Sequence, residues 1–303
     1  MKVMISGATG LIGSALSAAL VERGDEVVTL VRPDGRAATG TTVSWSPSER
    51  SINMAALNDL GAIDAVVHLA GAGIADKRWT EERKAEIRDS RVDGTATLAT
   101  AAAEMTTKPS VFVCGSAIGW YGSRGDEILD ERSTAGDGFL AEVCVAWEDA
   151  AQPAVDAGIR TVMARTGIVL SADGGALAKQ LPLFRAGVGG RLGPGSQWTS
   201  WISLVDEVRA LLALIDDPGF SGPVNLTAPE PVRNVDFTKA LGRAVHRPTL
   251  LPVPPLALKV ALGSELVDEA LLASQRVLPA ELEARGFAFS DRTVDEAFAA
   301  ILG

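Results

Sequence analysis

The chain has 303 residues, a hydrophobic fraction of 47% and a formal net charge of -10 at pH 7, enough apolar material for one large α/β domain or for a domain with a smaller appendage. The acidic balance argues against nucleic acid as a partner, because its phosphates would be repelled. Two cysteines, Cys114 and Cys144, and two histidines, His68 and His246, supply neither a disulfide framework nor a histidine-rich zinc site, so no metal is expected.

The first element is a short apolar run, Val3 to Ile5, that suits a buried strand. It passes into glycines at Gly7, Gly10 and Gly13 and then into an uncharged helical stretch that ends at Glu22, Arg23 and Gly24. Strand, glycine turn and helix in this order suit phosphate binding, since glycines admit a diphosphate close to the backbone and the helix N-terminus offers free N–H groups. Gly7 is expected to make the tight turn, Gly10 the close approach and Gly13 the contact between helix and strand. The spacing is G-x-x-G-x-x-G rather than G-x-G-x-x-G, and its weight comes from its place at the start of a strand–helix–strand pattern. Ser6, Thr9 and the glycines make Val3 to Val21 a poor secretory leader, and no other apolar run reaches membrane-spanning length. The expectation is a soluble, cytoplasmic chain with no membrane partner.

Glu26 to Val31 reads as the second strand and ends in Arg32. An acidic residue at this strand tip holds ribose hydroxyls, whereas an arginine suits a 2′-phosphate, so Arg32 points to NADP(H) over NAD. Arg36 is a possible assistant and Asp34 a counterweight. Strand signals recur at Ala65 to Leu69, Val111 to Cys114 and Arg160 to Ala164, with helical stretches between Thr80 and Glu104 and between Phe139 and Ala157. Alternation of this kind implies right-handed crossovers and a Rossmann-type doubly wound parallel sheet. Ligands then sit beyond the carboxyl ends of the strands, on the loops Ala70 to Trp79, Gly115 to Asp137 and Thr166 to Trp201.

Gly187 to Gly195 is glycine-rich and carries Arg191, with Trp198 and Trp201 following. It reads equally as a flexible cover over a small-molecule substrate and as a plain surface connection. Ser203 to Ile215 is helical and Pro223 to Leu226 a short strand. Beyond Pro229, prolines break the pattern into short helices, a small C-terminal lobe. The division expected is a dinucleotide-binding domain over 1–170 and substrate-side segments with the lobe over 171–303, part of 203–228 returning to the first domain. Monomer and homodimer both stay open.

With these residues in hand, the chain resembles the extended short-chain dehydrogenase/reductase superfamily, the NAD-dependent epimerase/dehydratase group. The resemblance is carried by SGATGLIG at Ser6 to Gly13, DAVVHLAG at Asp64 to Gly71, Tyr121-Gly122 and WISLVDEVRAL at Trp201 to Leu211. SRVDGT at Ser90 to Thr95, GWYG at Gly119 to Gly122 and FLAEVCVAWE at Phe139 to Glu148 are similar to an atypical, poorly characterised epimerase branch. LLASQRVLPAELEARGF at Leu271 to Phe287 resembles that branch's C-terminal domain. The resemblance implies cofactor contacts from Gly7, Thr9, Gly10, Leu11, Ile12 and Gly13, from Arg32, from Leu69, Ala70, Gly71 and Ala72, and from Gly115 and Arg165.

In that superfamily a tyrosine and a lysine four residues later carry the proton chemistry. This chain has one tyrosine, Tyr121, and its fourth successor is Gly125, so the dyad is absent. Alignment on Glu148 places Leu140 at the tyrosine position and Cys144 at the lysine position. The partner serine falls on Ala117, with Ser116 one residue early, and an asparagine in the helix after the fourth strand is replaced by Arg91. The candidates left for chemistry are Ser116, Tyr121 and Cys144, while His68 reads as structural. Two readings follow: an NADP(H)-dependent oxidoreductase or epimerase with a rearranged acid/base set, on an unknown and nucleotide-sugar-like substrate, or a non-catalytic NADP(H)-binding sensor.

Overall fold

The computed structural model describes residues 1–33 and 40–303. The expectations for Asp34 and Arg36 lie outside the described residues. Its first strands are β1 (Lys2–Ser6), β2 (Glu26–Val31), β3 (Thr41–Ser46), β4 (Ser51–Ile52), β5 (Ala65–His68) and β6 (Val111–Ala117). The central sheet has eight strands in the order Gly222–Leu226, Arg160–Thr166, β6, β5, β1, β2, β3, β4. All neighbours run parallel except the short β3–β4 pair. From β1 the chain winds one way through β2 and β3 and then returns to β5 on the other side, so the order reverses between β1 and β5. That reversal point is where open α/β sheets bind ligands.

Parallel strands covered on both faces need apolar side chains on both, and in β1 Val3, Met4 and Ile5 are all buried. On one face, Val3 and Ile5 pack with Leu16 and Leu20 of helix α1 (Leu11–Glu22) and with Val208 and Leu211 of the helix Leu204–Asp216. On the other, Met4 and Val66 pack with Leu98, Ala99 and Ala102, from the 24-residue helix Glu81–Glu104, and with Trp147 of the helix Phe139–Asp149. A third cluster, including Leu177, Phe184, Trp201, Phe237 and Phe298, holds the C-terminal lobe together.

Several sequence expectations shift in detail. The helix expected over Phe139 to Ala157 is two helices, Phe139–Asp149 and Gln152–Asp156, broken before Pro153, whose missing N–H suits only a first turn. A further helix, Gly175–Arg185, lies inside what reads as a loop. β3 and β4 were not legible as strands. Gly222–Leu226 adds to the central sheet, and Leu204–Asp216 packs against α1, so this part of the chain belongs physically to the sheet domain. The rest of the lobe is built mainly of short helices, among them Asn234–Ala244, Pro255–Leu262 and Val294–Leu302.

Candidate functional site: a cleft at the strand ends

A cleft of about 630 Å³ opens at the reversal point and is lined by Gly7, Ala8, Thr9 and Gly10 after β1, by Thr29 to Arg32 at the end of β2, and by Leu69 to Gly73 after β5. Trp45, Pro47 and Ser48 close one side, and Asp76, Arg83, Glu86, Asp89, Ser90 and Asp93 another. The glycine turn makes room for this cleft. Gly7 adopts φ +74, and a Cβ there would sit 2.8 Å from the Ala70 nitrogen, so no other residue fits without displacing the β5 loop. Gly13 packs its Cα against the Gly7 carbonyl, a contact between helix and turn rather than between helix and strand, and a Cβ would lie 2.8 Å from the Gly7 carbonyl carbon. Gly10 caps α1 without any side-chain hydrogen bond, and the first turn has no acidic residue. The leading N–H groups of α1, those of Leu11, Ile12 and Gly13, therefore keep their donor capacity for an anion. Arg32 is exposed on the cleft wall at the tip of β2, the strand next to β1 and its turn. An open helix start, a Cβ-free turn and a cation at the β2 tip fit the diphosphate and 2′-phosphate of a phosphorylated dinucleotide.

The wall formed by residues 70–73 is tied to the helix Glu81–Glu104. The Ala72 N–H donates to Ser90 Oγ at 3.0 Å, Arg91 Nη1 donates to the Ala72 carbonyl at 2.9 Å, and Arg83 Nη2 donates to the Gly73 carbonyl. Behind the wall, His68 is fully buried, with Nδ1 2.5 Å from Ser6 Oγ and an edge contact to Trp45. Burial holds its pKa down to about 3, with the Arg91 charge acting in the same direction. The ring is neutral at physiological pH and serves as packing.

The three candidates for proton chemistry do not line this cleft. Ser116 and Tyr121 belong to one buried network. Ser116 Oγ donates to Glu148 Oε1 at 2.6 Å, and Glu148 takes both Nε and Nη2 of Arg165 at 2.8 Å. Arg165 Nη1 donates to Tyr121 Oη at 3.1 Å, and that hydroxyl donates to Asn225 Oδ1 at 2.7 Å. Burial raises the Tyr121 pKa to about 12, against the pull of Arg165. The Arg165 guanidinium also stacks on Trp120, 3.9 Å from its ring centroid. Arg165 is thus committed to protein partners, and neither it nor Gly115, which backs onto the His68 carbonyl and Trp147, lines the cleft. Cys144 is buried with its thiol toward the Ala117 carbonyl, and burial pushes its pKa up to about 12. It is a neutral thiol at pH 7.

The segment Gly187 to Gly195 runs along the lobe, with Gly193 N–H and Val253 N–H exchanging hydrogen bonds with Val253 and Arg191 carbonyls, and does not line the cleft. Trp198 is held between Arg233 and Arg276, and Trp201 is fully buried in the lobe core. Lys77 and Arg78 are exposed on the loop after β5. Sequence reasoning missed Trp45, Ser48 and Asp93 as cleft residues. Trp45 and Ser48 belong to β3 and the turn after it, and the polar character of TTVSWS hid that strand.

No helix among the described residues is long and apolar enough to cross a membrane, and no group of acidic, cysteine or histidine residues among them is placed to hold a metal ion. Residues 3–226 match the NAD dependent epimerase/dehydratase family and residues 253–301 a domain of unknown function, DUF1731. An epimerase family protein of Mycobacterium bovis is 48% identical over 296 residues, spanning 97% of this chain and 95% of that one. An Arabidopsis thaliana chloroplastic homologue of the epimerase family protein SDR39U1 is 36% identical, covering 100% and 87%. The crystal structure of human SDR39U1, isoform 2, with NADPH superposes with a TM-score of 0.90 at 30% identity, covering 100% of this chain and 99% of that one. With its parallel sheet, its glycine turn and a family match over most of its length, the chain belongs to the NAD dependent epimerase/dehydratase family.

Proposed function

We propose that the protein is an NADP(H)-dependent oxidoreductase acting on a small molecule without a tyrosine–lysine dyad. The observation that carries this reading is the cleft that joins the uncapped start of α1 to Arg32. Gly7 to Gly13 would hold the diphosphate, Arg32 the 2′-phosphate, and the wall Leu69 to Ala72 would flank the ribose. The human relative crystallised with NADPH supports the same cofactor. When bound, the cofactor supplies or accepts a hydride. The protein's part is then to orient a substrate against it and to exclude water, which alone accounts for a large share of rate.

Of the three residues considered for proton transfer, Tyr121 and Cys144 are committed to structure, one by two hydrogen bonds and the other by burial. Ser116 keeps its proton directed at Glu148 Oε1 and retains lone pairs that can accept a further hydrogen bond. The substrate side is assigned to the face between the wall after β5 and the chain leading into Gly187 to Trp201. Lys179, in the helix just before that segment, reaches Asp76 on the wall at 3.3 Å. Nucleotide sugars remain the substrate class that the family match favours.

The commitment of all three candidates to protein hydrogen bonds or burial also favours a non-catalytic NADP(H) sensor, and one experiment separates the two. The protein is incubated with NADPH stereospecifically deuterated at C4 and a panel of aldehydes, ketones and enones. Transfer of label from one face only supports the oxidoreductase. Tight NADPH binding with no transfer to any acceptor favours the sensor, and absence of NADPH binding refutes both.

A further inference from the structure

Arg91 is the one half-buried cation at this end of the molecule whose charge no carboxylate answers in the described structure. It projects from the helix Glu81–Glu104 beneath the cleft wall, where a Cβ on Gly71 would lie 3.2 Å from its Cζ and press on the guanidinium. The guanidinium is fixed rather than free. Nη1 donates to the carbonyls of Ala72 and Ile87, both at 2.9 Å, and Cζ lies 4.9 Å from the Trp147 ring centroid. The Arg91 charge acts on Cys144, whose thiol lies against Gly119. The remaining edge of the guanidinium, Nε and Nη2, has no hydrogen-bond partner among the described residues, and these atoms are not sealed from solvent as are the unpartnered Nε atoms of Arg83, Arg191 and Arg276.

Arg165 shows what such an edge is built to hold. It uses the same pair, Nε and Nη2, to grip both oxygens of Glu148 at 2.8 Å. A carboxylate satisfies this fork with two parallel bonds, as Glu148 does at Arg165, and a neutral oxygen satisfies it less well. Burial lowers the Arg91 pKa, which is the cost of keeping the charge there unanswered. On a chain of net charge -10 a fixed local cation is also what an anionic substrate requires.

We propose that Arg91 is a substrate-binding residue whose free edge receives a carboxylate carried by the substrate, between the wall Gly71–Ala72 and the helix Phe139–Asp149. This rests on reading the cleft as the dinucleotide site, since it places the carboxylate at the inner end of the bound cofactor.

The test titrates benzoate and benzamide, alike in shape and unlike in charge, into the full-length protein by calorimetry, with and without saturating NADP⁺. Benzoate should bind at least about tenfold more tightly than benzamide, the worth of a charge-assisted hydrogen bond. Arg91→Gln should abolish the discrimination, and Arg91→Lys, which keeps the charge but not the fork, should leave only part of it. Equal binding of the two probes to the wild type overturns the proposal. So does discrimination that survives in Arg91→Gln, or benzoate that competes with NADP⁺ and so occupies the phosphate site. If Arg91→Gln fails to fold, the wild-type comparison and Arg91→Lys decide. Failure of the dinucleotide reading shows separately, as wild-type protein that does not bind NADP⁺, and discrimination in the unliganded protein then still decides the role of Arg91.

Discussion

Substituting alanine at two glycines three residues apart should give different results, and the difference tests the cofactor site directly. At Gly13 an added Cβ would stand 2.8 Å from the Gly7 carbonyl carbon and 3.0 Å from the Ala8 Cα, both backbone atoms, where ordinary contact begins at 3.4 Å. Neither these atoms nor the Gly7 carbonyl oxygen, which lies closer still, can rotate away, so α1 must withdraw from the turn by roughly an ångström, an overpacking cost of about 1–3 kcal/mol or more. For a large domain each kcal/mol lowers Tm by roughly 2–4 °C. The withdrawal also moves the free N–H groups of Leu11 to Gly13 off the diphosphate. Losing one charge-assisted hydrogen bond there costs about 1.5–3 kcal/mol, or about tenfold to a hundredfold in affinity. At Gly10 the nearest atom to an added Cβ is the Gly7 carbonyl oxygen at 3.3 Å, and nothing else lies within 4 Å. Gly10→Ala should therefore keep the wild-type Tm and change affinity only through the ligand's own approach. Thermal unfolding and NADPH fluorescence titration of both variants provide the measurements. A Gly13→Ala protein that binds NADPH within twofold of wild type refutes the placement of the diphosphate at this turn.

Arg32→Asp should lower NADPH affinity by about tenfold or more and narrow or reverse the preference over NADH, because it replaces an exposed cation with an anion near Asp89 and Asp93. A wild type that binds NADH more tightly than NADPH contradicts the assignment. Glu148→Gln leaves the Arg165 guanidinium, whose side chain is 4% exposed, without its counter-charge. It should cost about 3 kcal/mol or more in urea unfolding, and a loss below 1 kcal/mol would show that the network is dispensable. Glu207 is fully buried, accepts one bond from Thr166, and has its pKa raised by burial from 4.5 to about 8. The fold holds a proton that the unfolded chain releases, so the contribution of Glu207 to stability is fully present below 4.5 and is lost as pH rises from there toward 8. Glu207→Gln should flatten that slope and exceed the wild type in Tm at alkaline pH; parallel profiles for the two proteins would contradict the burial argument.

How much of this was legible in the sequence depended on whether a residue's neighbours are local. The turn Gly7 to Gly13 acts on itself and on the next strand, and its spacing, the β2 run and the terminal Arg32 sufficed to place the cleft. Buried parallel strands announce themselves through unbroken apolar runs, as in AVVH and VFVC, whereas β3, at the far side of the sheet, alternates polar residues with Val43 and Trp45 and gave no such signal. Arg165 and Tyr121 were beyond reach for another reason. They are locked by Glu148 from one helix and Asn225 from a strand 60 residues on in the chain from Arg165, and no local pattern reveals a partner at that separation.

The loss of the dyad was visible from counting tyrosines, but its structural consequence was not. Where the superfamily's lysine would bring a positive charge on the helix Phe139–Asp149, this chain has the neutral, buried thiol of Cys144. A positive charge nonetheless acts on that thiol, supplied from a different helix by Arg91, which reaches under Gly71. The geometry of the two cations differs in a way that bears on chemistry. A lysine ammonium is a single point charge suited to tuning a neighbouring hydroxyl, and there is no tyrosine at position 140 to tune. A guanidinium with a free Nε–Nη2 edge instead grips an anion through two parallel bonds and holds it in one orientation. On the role proposed for Arg91, the replacement moves the protein's contribution from transferring a proton toward orienting an anion, and Arg91→Lys, which restores a point charge without the fork, separates the two roles.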